Sequence, residues 1–129
     1  MALSVEEQLV GILRDLHMSA PEVEGGAVVS MDAQIIASSL PSSIEEDRVC
    51  AMSAALYGIG VRAAKELQQG EVEQLYIKGE KGYILITHAG QDAVLFVLAS
   101  AKAKLGVIFF EVRRATEEIA RVLAYQRAL

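Results

Sequence analysis

Two charge-free apolar runs, Tyr83-Ile-Leu-Ile-Thr87 and Ala93-Val-Leu-Phe-Val-Leu98, follow one another closely in the second half of the chain. A strand that faces water on one side alternates polar and apolar residues. A strand that is apolar throughout has to be covered on both faces. These runs therefore demand a sheet with packed material above and below it.

The rest of the chain offers that material as helices. Ser4-Val-Glu-Glu7 has the form of a capping box, and Val5, Leu9, Ile12, Leu13 and Leu16 then make one apolar stripe that stops before Pro21. Ser43, with Glu46 three residues on, predicts the start of a long second helix that Gly70 stops. From about Lys102 the period returns to that of a helix, with Leu105, Ile108, Phe109, Val112, Ile119 and Val122 on one face. The opposite face carries Arg113, Arg114, Glu117, Glu118 and Arg121, and Glu117 and Arg121 stand at i, i+4 spacing for an ion pair. Gly25–Ser30 and Gln34–Ser39 read as strands around a tight turn at Met31-Asp32-Ala33. Glu73–Lys78 alternates as an edge strand does, ahead of a turn at Gly79-Glu-Lys-Gly82. The order is αββαβββα. It predicts an α+β sandwich, one domain over residues 1–129, with a five-stranded antiparallel sheet and helices on both faces.

Composition narrows the function. No stretch approaches the roughly 18 apolar residues that cross a bilayer, and the start, Met-Ala-Leu-Ser-Val-Glu-Glu, is acidic where a signal peptide is basic. A cytoplasmic protein without membrane insertion is the expectation. The single Cys50 fits a reducing compartment and reads as a buried structural thiol. A net charge of −5, with Arg113-Arg114 as the only adjacent basic pair, argues against a nucleic-acid partner.

The second helix is unusual because Val49–Val61 holds no charge. Its large residues Val49, Met52, Leu56, Ile59 and Leu67 fall together and predict a core face. Opposite them lie Ala51, Ala54, Ala55 and Gly58, with Asp47 at one end and Arg62 and Lys65 at the other. That side is too apolar for water and small enough for a second helix to approach. A second copy of the chain is the expected occupant. Asp47 and Lys65 are equidistant from residue 56, so antiparallel pairing sets Asp47 of one copy beside Lys65 or Arg62 of the other.

Catalytic chemistry finds little support. His17 and His88 lack a second ligand at metal spacing, and His17 suits the negative end of the first helix. Gly79-Glu-Lys-Gly82 lacks the phosphate-loop pattern and leads into a strand. The carboxylate groups Glu6-Glu7 and Glu45-Glu46-Asp47 sit in first helical turns, where negative charge is favoured. No nucleophile has a base at motif spacing, so no catalytic residue, metal ligand or cofactor is expected, and the chain is read as a non-enzyme.

The segment Glu24-Gly-Gly-Ala-Val-Val-Ser-Met-Asp-Ala-Gln-Ile-Ile-Ala-Ser38 resembles the first hairpin of the roadblock/light-chain-seven family. The small-residue second helix, the Leu75–Leu85 hairpin and Lys104-Leu-Gly106 opening the last helix extend that resemblance over nearly the whole chain. Compactness and alanine content are similar to the bacterial gliding-protein branch. The resemblance implies a roadblock/profilin-like fold and a homodimer. In that dimer the edge strand, with Glu73, Leu75, Tyr76, Ile77 and Lys78, pairs with its symmetry mate into a ten-stranded sheet, and the second helices lie antiparallel across it. It also implies a non-catalytic regulator or scaffold of a small Ras-like GTPase. The alternative is a light-chain-type adaptor without effect on nucleotide turnover. A small-ligand sensor, as a third class, predicts a polar-lined pocket. Asp32-Ala33 departs from the family's usual Asp-Gly, so a turn other than type I′, or a longer loop, is expected there.

Overall fold

The computed structural model describes residues 2–129. Helix α1 (Val5–Ser19) is followed by strands β1 (Val23–Ser30) and β2 (Ile35–Ser39), then helix α2 (Glu46–Glu66). Strands β3 (Leu75–Lys78), β4 (Gly82–Ala89) and β5 (Ala93–Ser100) lead into helix α3 (Leu105–Ala128). The element order is the expected one.

All strands join in one antiparallel sheet of order β2-β1-β5-β4-β3, so β2 and β3 are the edges. The two continuous apolar runs lie inside it, which is why neither needed a polar face. Along β5 the side chains alternate between two cores: Leu95 and Val97 point toward α1 and α3, whereas Val94 and Phe96 point toward α2. The first core also takes Leu9, Leu13 and Leu16 of α1 and Ile108, Val112 and Ile119 of α3. The second is smaller and is roofed by α2 alone, with Ala27, Val29 and Ile86 from the sheet.

Local chemistry accounts for the ends. The Ser4 hydroxyl accepts from the Glu7 amide at 3.1 Å and the Glu7 carboxylate accepts from the Ser4 amide at 3.3 Å, completing the expected capping box. The β1–β2 loop is three residues long: Ser30 N–H donates to the Gln34 carbonyl and Ala33 N–H to the Ser30 carbonyl. Ala33 has φ +66° while Met31 and Asp32 stay at negative φ. This is a type I turn plus a left-handed residue, not the two-residue I′ form. The different turn was expected; that Ala33 would still adopt positive φ was not.

Four expectations are corrected. Ser43 does not cap α2. The loop continues through Ile44, whose amide bonds the Pro41 carbonyl and whose side chain joins the second core, so the cap position falls to Glu45 without a side-chain bond. The stop is not Gly70 but Gln68, at φ +59°. Its amide donates to Lys65 O at 3.2 Å and that of Gln69 to Ala64 O at 2.7 Å, the Schellman pattern. Strand β3 is shorter than Glu73–Lys78, beginning at Leu75. Glu117 and Arg121 are not ion-paired among the described residues; α3 instead uses Arg114 with Glu111 and Arg127 with Asp92 of the β4–β5 turn.

Candidate interaction surface

Helix α2 meets the sheet through residues of mixed size. Val49, Cys50 and Ser53 are buried, and Leu56 and Tyr57 are half-buried against the second core. One turn on, a Cβ added at Gly60 would lie 3.4 Å from the Leu75 side chain, so the missing side chain leaves room for β3. Met52 and Ile59, expected in the core, are 50% and 65% exposed, and Leu67 is exposed as well. The helix is thus rotated by roughly a quarter-turn from the orientation its bulky residues suggest, given about 100° per residue.

The outward face that results is apolar. Ala51, Ala55 and Gly58 are exposed and Ala54 is half-buried, and a Cβ added at Gly58 would meet nothing within 4 Å. Asp47, Arg62 and Lys65 are exposed at the ends of this face. Arg62 reaches Glu66 of its own helix at 3.7 Å, while Asp47 and Lys65 have no ion pair among the described residues. Asp47 and Ala51 look toward the β1–β2 hairpin, sharing a shallow recess with Ala33, Gln34 and Ile35.

Strand β3 lies beside this helix with its outer edge open. Leu75 is half-buried under α2, and Tyr76, on the other face, packs edge-on against Phe109 with ring centres 6.0 Å apart. Ile77 and Lys78 are exposed. Glu73 precedes the strand, and its carbonyl accepts from the Thr87 hydroxyl at 2.9 Å, which holds the start of β3 to β4. Ile77 pairs with Ile84, and Ile84 with Leu98, so these three side chains share the α2 face of the sheet. The last two are only half-buried. Ile77 on the strand, like Met52 and Ile59, which helix periodicity places inside, is an exposed large apolar side chain.

Burial, then Asp47 and Glu46, push the Cys50 thiol up, opposite to the direction that activates a nucleophile. Burial and then Glu71 do the same to the Tyr57 hydroxyl. His17 does more than sit at a helix end: its Nδ1 pairs with the Val23 carbonyl and ties α1 to β1. His88 is exposed. No group of three or more His, Cys, Asp or Glu placed to hold a metal occurs among the described residues. An open cleft of about 870 Å³ lies at the end of α2 between Met31, Tyr57, Val61, Val72 and His88. Lys65, Gln68, Glu71 and Gln91 also line it, and an adjoining open cleft of about 710 Å³ is lined by Gln69, Glu71, Glu73, Gln74 and His88, the polar lining that a small-ligand sensor predicts.

A family model, the Roadblock/LC7 domain, matches residues 9–99. The chain belongs to the Roadblock/LC7 family. It is 41% identical over 97 residues to the uncharacterized protein MJ1340 of Methanocaldococcus jannaschii, covering 75% of this chain and 84% of that protein. To MJ0714 of the same archaeon it is 36% identical over 115 residues, covering 89% and 96%. Its fold is similar to that of Myxococcus xanthus MglB, with TM-score 0.87, 18% identity and coverage of 97% and 94%. The Thermus thermophilus gliding protein MglB gives TM-score 0.82, also at 18% identity, with coverage of 95% and 93%. Profilin IA of Acanthamoeba castellanii gives 0.61 at 13% identity, covering 91% and 97%. At these identities the structural likenesses show the fold, and it is the α+β roadblock/profilin-like sandwich expected.

Proposed function

We propose that this Roadblock/LC7 chain works as a non-catalytic homodimer that regulates or scaffolds a small Ras-like GTPase. The observation that carries the dimer is the coincidence of two unsatisfied surfaces on one side: the open edge of β3 and the apolar outer face of α2. Joining β3 to its two-fold mate satisfies the edge backbone and lays the two α2 helices antiparallel. The interface comprises Ala51, Ala54, Ala55 and Gly58, with Glu73, Leu75, Tyr76, Ile77 and Lys78 of the edge segment. Its apolar weight falls on Met52 and Ile59, which are exposed in the single chain. Asp47, Arg62 and Lys65 form its charged rim and contribute little.

The GTPase reading draws its support from the fold that the chain shares with MglB. Sedimentation tests the dimer: Met52→Asp with Ile59→Asp is expected to give a folded monomer, and Lys65→Ala to remain dimeric. A double variant that stays dimeric rejects this interface. Capture of GTP-loaded small GTPases of the source organism by the immobilised dimer tests the partner, and failure to retain any of them rejects it. A turnover assay on the captured GTPase then separates a regulator, which changes the rate, from an adaptor, which leaves it unchanged.

A further inference from the structure

Residues 67–74 join α2 to β3, and with the end of α2 and the β4–β5 turn they wall the open cleft of about 870 Å³. Met31 and Val61, 55% and 41% exposed, line it beside Val72 and the half-buried Tyr57. Gly70 at φ +87° and Gly90 at φ +73° stand in its walls, where the backbone turns without a Cβ. The volume lies in the range of sites that enclose small molecules.

Both signs of charge meet at this cleft. Lys65 lines it from α2 and Glu71 from the linker, and neither has an ion pair among the described residues. Glu71 and His88 also line the adjoining cleft, where Glu73 adds a second carboxylate. The charged groups just outside are engaged elsewhere. Glu66 pairs with Arg62, Asp92 pairs with Arg127, and the Asp32 carboxylate accepts from the Ser30 hydroxyl. Arg113 and Glu117 line a third cleft, on the α3 side of His88 and Glu73. The lining thus offers one unpaired ammonium, two carboxylates and several apolar side chains. Burial and then the Glu71 carboxylate push the Tyr57 hydroxyl up, so it keeps its proton and donates in the neutral range.

From the convergence of Lys65, Glu71 and Glu73 with Met31, Val61 and Val72, we infer that the cleft binds a small zwitterion with an apolar body. That is the chemistry of an apolar amino acid or dipeptide. The ammonium of the ligand meets Glu71 and Glu73, its carboxylate meets Lys65, and its apolar part covers the exposed Met31 and Val61. A simple anion would face the two carboxylates and a simple amine would face Lys65, so a ligand carrying both charges suits the lining. The site shares Lys65 and Glu73 with the proposed dimer interface but does not rest on it, because Tyr57, Glu71, Val72 and His88 lie outside that interface.

The test is titration of the isotope-labelled full chain, followed by its amide shifts, with L-phenylalanine and with leucyl-phenylalanine. Phenethylamine, hydrocinnamate and glycine, which lack the carboxylate, the ammonium and the apolar body in turn, are titrated alongside. Saturable shifts at Tyr57, Val61, Val72 and Gly90 are expected with one or both zwitterions, and the tighter of the two identifies the source. Each of the other three compounds is expected to bind about ten-fold more weakly. Glu71→Gln, at an exposed position outside the dimer interface, is expected to lose about ten-fold in affinity with unchanged circular dichroism and sedimentation. Absence of saturable shifts with both zwitterions overturns the proposal. So does equally tight binding of phenethylamine or hydrocinnamate, or a Glu71→Gln variant that binds like the unaltered chain. Sedimentation of the same samples reports the dimer separately, so either reading can fail alone.

Discussion

Single residues in this molecule carry identifiable strain. Ala33 holds φ +66° where a Cβ is penalised, and its side chain is exposed, so nothing is lost by removing it. Ala33→Gly is expected to raise stability by about 1 kcal/mol, read as a higher midpoint in urea; an unchanged midpoint would mean the turn carries no strain. Ser53 is fully buried in α2 with a hydroxyl that has no hydrogen-bond partner. Ser53→Ala removes an unsatisfied polar atom and improves helix propensity, so it too is expected to stabilise, by about 1 kcal/mol. The same series of urea titrations decides it, and a loss of stability would show that the hydroxyl has a partner.

Cys50 gives a pH signature. Its thiol is pushed above the ordinary 9.0, chiefly by burial and then by Asp47 and Glu46, so the folded state holds its proton longer than the unfolded chain does. Below the unfolded value both states are protonated and the stability from this thiol is fully present. As pH rises through that value the unfolded chain ionises first, and stability falls. The stability difference between the parent chain and Cys50→Ala is expected to shrink from about pH 8 to about pH 10; a constant difference would contradict this assignment.

Among elements, β4 and α2 show how a sheet and a helix are fixed by what they cannot accommodate. A Cβ at Gly82 would sit 2.5 Å from the Ala99 carbonyl, so β4 begins where only glycine lets it approach β5. Gly82→Ala is expected to cost roughly 1–3 kcal/mol by thermal or chemical unfolding, because backbone has to move to admit it. At α1 the reciprocal Ser4–Glu7 bonds end the helix, and Ser4→Ala is expected to cost about 1 kcal/mol in the same measurement. These two sites were readable to different degrees. The capping box is a local pattern and was plain in the sequence, whereas the Gly82 approach depends on β5 and has no local signal.

Legibility follows the same division elsewhere. The β5 run announced a doubly covered strand because every residue from Ala93 to Leu98 is apolar, and alternation between two cores needs nothing else. The end of α2 was misplaced because Gln68, not a glycine, takes the left-handed position, supported by bonds to Lys65 and Ala64. The start was misplaced because Ile44 is drawn into the second core, a tertiary pull that outweighs the capping preference of Ser43.

At the scale of the whole molecule, the two helical layers differ in composition as well as in number. The α1/α3 layer encloses the larger core, while the α2 layer is thin and leaves Ile77, Ile84 and Leu98 incompletely covered. A dimer through β3 and α2 would cover these side chains. Met52→Asp with Ile59→Asp is expected to abolish it, which sedimentation measures, and an unchanged dimer would reject that arrangement.

By itself the sequence determined the order of elements, the single α+β sandwich and the covered central strands, because periodicity and caps are local and survive in any packing. It also set α2 apart by the absence of charge from Val49 to Val61. Only the tertiary structure decided which side of α2 meets the sheet. A helix rich in alanine and glycine has a weak amphipathic direction, so its contact with the sheet, through Val49, Cys50, Ser53, Leu56 and Gly60, is set by fit against the second core and β3 and not by the helix's own pattern. The bulky Met52 and Ile59 were thereby turned outward, onto the surface where a partner would meet them.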